Sequence, residues 1–119
     1  MAKKKTHLAQ ALHNEQLCSF LEDTPYSDWR VTSTFYAALH YIEAYLDTLK
    51  PPIHCRIHVE RDRVIANFPV TNALYNDYRN LKDLSAEARY SGQKLSSPEI
   101  KADVIPSLEK IKKQLKQYF

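Results

Sequence analysis

Residues 28–46 read DWRVTSTFYAALHYIEAYL, and how this stretch folds decides the fold of the chain. Val31, Phe35, Ala38, Leu39, Ile42 and Leu46, with Leu49 just beyond, fall together at about 100° per residue, the period of one helical face. Ser27 or Asp28 can cap a helix over Trp29 to about Leu49. Its opposite side carries Ser33, Ala37 and Ala44, with Tyr36, His40 and Tyr41 beside them. Small residues in helical register let another helix come close, so this helix can be buried on two sides. Lys50-Pro51-Pro52 ends it, because proline pushes the residue before it out of helical geometry.

The flanking segments continue the helical pattern. Upstream, Leu8, Leu12, Leu17, Phe20 and Leu21 form a broad stripe over Thr6–Glu22, with Thr6 as N-cap. Downstream, residues 53–68 read as a shorter helix stopped near Pro69. Leu74, Tyr78, Leu81, Leu84, Ser85 and Ala88 share a face of a helix over Val70–Tyr90, with Gly92 as its C-terminal cap. Ser97 and Pro98 start a last helix, in which Ile100, Val104, Leu108, Ile111, Leu115 and Tyr118 recur at steps of three and four. Pro106 inside that stripe predicts a kink. The whole predicts an all-α, antiparallel four-to-five-helix bundle, one domain over residues 1–119, with 1–5 as a disordered basic end.

Composition removes several classes of function. With one glycine in 119 residues, neither Gly-rich phosphate loops nor a turn-rich sheet fits. The net charge of +3 permits a nucleic-acid partner without requiring one. Cys18 and Cys55 show no CxxC spacing, and no signal peptide or membrane-spanning apolar run is evident. A cytoplasmic chain with two reduced thiols and no membrane partner is the expectation.

Chemistry concentrates in residues 53–68, IHCRIHVERDRVIANF. On a helical wheel Ile57, Val64 and Phe68 form an apolar ridge, Arg61 falls within it, and His54, Ile65 and His58 come next. Arg56, Glu60 and Arg63 point toward solvent. A buried guanidinium needs an anion. Either a carboxylate of the fold supplies it, from Asp62, Asp77, Asp83 or Glu87, or Arg61 holds a phosphate in a cleft where a histidine moves protons. His54 and His58 at i, i+4 also match a helical metal pair, but the residues between them lack the HExxH glutamate and Arg61 would repel a cation. No metal and no cofactor are expected.

Elsewhere packing is the default. His40 reads as an interface or packing residue, His7 and His13 as exposed, and the eight tyrosines mainly as core or interface. Lys101, Lys110, Lys112, Lys113 and Lys116 spread over the outer side of the last helix, a solvated face or else a salt-sensitive nucleic-acid stripe.

Three segments in order, DWRVTSTFYAALHYIEAYL, IHVERDRV (57–64) and LYNDYRNLKDLSAEARY (74–90), resemble the HEPN-like proteins over roughly Leu8–Tyr90. The resemblance implies a helical bundle that pairs as a homodimer and works on RNA or a nucleotide. Many members are metal-independent RNases of defence or toxin systems, some acting with a protein encoded alongside. Their hallmark is an arginine followed, after four to six residues, by a histidine. Here nine residues separate Arg30 from His40, one separates Arg56 from His58, and His58 and Arg61 stand in reversed order. The implied site is His58 and Arg61, with His54, for catalysis, and Arg61, Tyr78 and Arg89 for RNA or nucleotide binding. Ser33, Ala37, Tyr41 and Ala44 form the candidate dimer face. The alternative is a non-catalytic interaction module whose Arg–His cluster is structural.

Overall fold

The computed structural model describes residues 3–92 and 94–119; Met1, Ala2 and Gln93 lie outside the described residues. In chain order the described elements are α1 (Lys4–Phe20), α2 (Ser27–Asp47), α3 (His58–Asn67), the single turn α4 (Pro69–Asn72), α5 (Tyr75–Tyr90), α6 (Ser97–Asp103) and α7 (Ile105–Leu115), then a 3-10 turn at Lys116–Tyr118. No strand occurs among the described residues, and no helix is long and apolar enough to cross a membrane.

α2 is the axis. Its predicted face, Val31, Phe35, Ala38, Leu39, Ile42 and Leu46, is buried, and α5 and α7 pack onto it. α5 contributes Tyr78, Leu81, Ser85 and Ala88, and Ile100, Val104, Leu108, Ile111 and Leu115 line the inner side of the last segment. Each fully buried large apolar side chain contributes about 1.5–3 kcal/mol, so this three-way seam is the main cohesion of the fold.

The other side of α2 is buried too. Ser33, Ala37 and Ala44 are covered, and the neighbour their small size admits is α1 of the same chain, not an open partner face. α1 runs antiparallel to α2: the Lys4 backbone N–H donates to Asp47 Oδ2 (2.6 Å), His7 meets His40, Glu15 accepts from the Tyr41 hydroxyl, and Cys18 lies 3.1 Å from Thr34 Oγ1. The predicted apolar stripe of α1 is corrected accordingly. Leu12, Leu17 and Phe20 are exposed, and the helix buries Ala11 and Cys18 instead. Close approach favours small side chains over leucines at the crossing.

Boundaries moved where local chemistry overrode periodicity. α1 starts at Lys4, inside the expected basic end. α3 starts at His58, not near Ile53: the chain after Pro51-Pro52 is non-helical through Ile57, the extended N-cap (φ −133°, ψ 158°). Ile57 is therefore 60% exposed, while Ile65 takes the core position. α6 is capped by Ser96, one residue earlier than predicted: Glu99 N–H donates to Ser96 Oγ (3.3 Å) and Ser96 N–H to Glu99 Oε1 (3.1 Å). The kink predicted at Pro106 is a break at Val104 between α6 and α7. Gly92 follows the α5 cap Ser91 with φ +75°, the conformation that favours glycine at a helix end.

Candidate functional site

Arg61 lies in the first turns of α3 and faces α2, 8% exposed. Its Nε donates to Glu43 Oε1 at 2.5 Å, so the anion it requires comes from its own chain. That anion is Glu43, and none of Asp62, Asp77, Asp83 or Glu87, the carboxylates expected from sequence. The missed signal was the lone glutamate of α2, set among apolar and small residues in its C-terminal half. Glu43, 4% exposed, needs a cation as much as Arg61 needs an anion.

Arg61 Nη1 is also 3.2 Å from His58 Nδ1. Guanidinium only donates, so Nδ1 accepts and the ring proton sits on Nε2. Burial, then the charge of Arg61, holds the His58 pKa below its ordinary value, in keeping with a neutral ring.

His54 is separated from this pair. It precedes α3, so the helical i, i+4 arrangement with His58 does not form, and the spacing argument for a metal falls with it. Among the described residues no three His, Cys, Asp or Glu side chains are arranged to hold a metal ion. His54 Nε2 lies 3.5 Å from Asp47 Oδ1 and lines a cavity of about 250 Å³ together with His7, His40, Cys55 and Arg61. Inside it His7 Nδ1 and His40 Nδ1 are 3.0 Å apart. Burial, then His7 and Arg61, pushes His40 down to about 4. Burial also pushes the Cys55 thiol up to about 11, which disfavours a thiolate nucleophile at neutral pH.

Tyr78 and Arg89 are carried by α5. Tyr78 is fully buried, and its hydroxyl sits near Arg61 and Asp62 without a hydrogen bond of ordinary geometry to either. Asp62 is held by Lys82 at 2.5 Å and Arg79 at 3.7 Å. The Arg89 guanidinium lies 5.9 Å from the Tyr36 ring centre and 5.2 Å from that of Tyr90, and its Nη1 is buried without an acceptor. Tyr78, Lys82, Ser85 and Arg89 follow one another at steps of four, three and four along α5. His58, 6.2 Å from Phe35, feels the charges of both Lys82 and Arg89.

The structure thus brings His58, Arg61 and the buried Tyr78 together between α3 and α5, places Arg89 further along α5 between Tyr36 and Tyr90, within electrostatic reach of His58, and leaves His54 in the neighbouring cavity. No family model, curated protein or solved structure matches the chain. The HEPN-like resemblance rests on its three sequence segments.

Proposed function

We propose that the protein is a HEPN-like helical bundle that binds RNA or a phosphate-bearing nucleotide along the α3–α5 edge. The observation that carries this reading is the buried Nη1 of Arg89, a charged donor without an acceptor, flanked by the rings of Tyr36 and Tyr90. A phosphate oxygen satisfies that donor once the flanking rings part to admit it, since Nη1 is closed to solvent, and Tyr90, 82% exposed, offers a face on which a base can stack. His58 Nε2–H adds a neutral donor. Arg61, tied to Glu43, orients His58 and does not grip the phosphate itself.

The same geometry favours binding over cleavage. A general base needs a free ring nitrogen, and the accepting Nδ1 of His58 is occupied by Arg61. In the HEPN-like reading a second copy docks beside this edge; Ile57 and Val59, 60% and 64% exposed on either side of His58, supply apolar surface for it. These residues also favour the second reading, an interaction module with a structural Arg–His pair.

The test is fluorescence anisotropy with a short single-stranded RNA at low and moderate salt, using folded Arg89→Ala, His58→Ala and Arg61→Ala chains. Binding that falls with salt, and falls at least about tenfold in Arg89→Ala, supports the proposal. Equal binding by wild type, Arg89→Ala and His58→Ala removes it. No RNA binding, together with a dimer lost in Val59→Glu, establishes the interaction module instead.

A further inference from the structure

Two arginines are equally buried, and they differ in what neutralises them. Arg61 and Arg30 are each 8% exposed, and Arg61 has Glu43 at 2.5 Å. Arg30, in the first turn of α2, donates from Nη1 to Ser97 Oγ at 3.3 Å, while its Nε is buried without an acceptor. Among the described residues no carboxylate pairs with its guanidinium. A buried cation left this way is costly, so the space it faces calls for an anion.

That space exists. Arg30 lines a cavity of about 310 Å³ between the end of α1, the start of α2 and the α6–α7 break. The volume lies at the lower end of small-molecule sites, which run roughly 300–1,000 Å³. Ile105 and Leu108 supply an apolar wall, and Lys101 a second cation. The lining also holds three carboxylates: Lys112 occupies Glu15 at 2.7 Å and reaches Glu109 at 3.7 Å, whereas Glu22 has no ion pair among the described residues.

This charge pattern selects the ligand. With Lys112 taken up by Glu15 and Glu109, Arg30 and Glu22 are left as a cation and an anion without an ion pair among the described residues, an arrangement that suits one carboxylate on the guanidinium and one ammonium beside Glu22 better than a multiply charged phosphate. The geometry points to a binding site for a free aliphatic amino acid, with its carboxylate on Arg30, which Ser97 positions through its hydrogen bond, and its side chain against Ile105 and Leu108. The site is separate from the α3–α5 edge and does not depend on RNA binding there.

The experiment is an NMR titration of the full chain with leucine, isoamylamine and inorganic phosphate, repeated on Arg30→Met and Ser97→Ala. Leucine is expected to produce saturable shifts around Arg30, Ile105 and Leu108, with a dissociation constant on the order of millimolar, and the other two probes none. Arg30→Met is expected to weaken leucine at least tenfold, and Ser97→Ala severalfold, while both fold cooperatively. Unsaturable leucine shifts, phosphate binding as well as leucine, or an unchanged leucine affinity in either variant overturns the proposal. So does a marked loss of thermal stability in Arg30→Met, since an arginine neutralised by its own chain is the kind whose removal unfolds a protein.

Discussion

Glu43 on α2 and Arg61 on α3, 18 residues apart in sequence, meet through an N–H···O bond of 2.5 Å with both side chains buried. Removing one partner strands the other. Glu43→Ala is expected to cost about 3–5 kcal/mol in urea unfolding, and Glu43→Ala combined with Arg61→Met to recover most of it. A single variant as stable as wild type would show that water, and not Glu43, neutralises Arg61.

The His7–His40 pair makes α1 docking sensitive to acid. Both Nδ1 atoms share one hydrogen bond at 3.0 Å, so the bond is lost if each carries a proton. The folded pKa of His40, about 4, lies below its ordinary 6.5, so the unfolded chain takes up the proton first. The stabilisation is full above pH 6.5 and declines as pH falls toward about 4. His7, lowered chiefly by burial, acts in the same direction. Melting temperature should fall more steeply over this window in wild type than in His40→Gln; parallel curves would refute the assignment.

Tyr78→Phe separates stability from binding. The Tyr78 hydroxyl is buried without a hydrogen bond of ordinary geometry, so its deletion removes a desolvated polar group and is expected to leave stability unchanged or slightly raised. RNA affinity is expected to stay unchanged, because the fully buried hydroxyl has no access to a ligand. Thermal melts and anisotropy on the same preparation check both outcomes. A loss of more than about 1 kcal/mol would mean that the hydroxyl is firmly bonded within the fold.

Two helix ends give smaller, local effects. Gly92 has φ +75° and open space around an added Cβ, so Gly92→Ala should cost about 1 kcal/mol from backbone conformation alone. Gly92→Asn should cost less, because asparagine tolerates that region better. Ser96→Ala, which breaks the reciprocal cap with Glu99, should cost about 1 kcal/mol in chemical denaturation.

Where apolar spacing alone governs packing, sequence and structure largely agree: most of the predicted faces of α2, α5 and the last segment are buried, while Leu49 and Leu84 are half-buried and Tyr118 is exposed. They part where contacts are polar or where the backbone is fixed by neighbours. Nothing in the stripe of α1 reveals that Ala11, His7 and Cys18, and not its leucines, face α2, because that interface joins small and polar groups. α3 begins only at His58, which takes His54 off the helical wheel and turns Ile57 outward. For the candidate site, the inward turn of Arg61 and the nearness of His58 follow from periodicity. Its partner Glu43 does not, since pairing between helices depends on how they cross, which no single-helix wheel contains.

Burial around the whole circumference of α2 also bears on how this chain tolerates change. From Arg30 to Phe35, and again from Ile42 to Leu46, each consecutive residue is buried, so neither stretch has a side on which substitutions can accumulate freely. In a saturation mutagenesis library these positions should form two nearly unbroken bands of depletion, while Leu12, Leu17 and Phe20 of α1 accept polar replacements. Sequence drift in this protein is therefore channelled outward, onto the helices that wrap its axis.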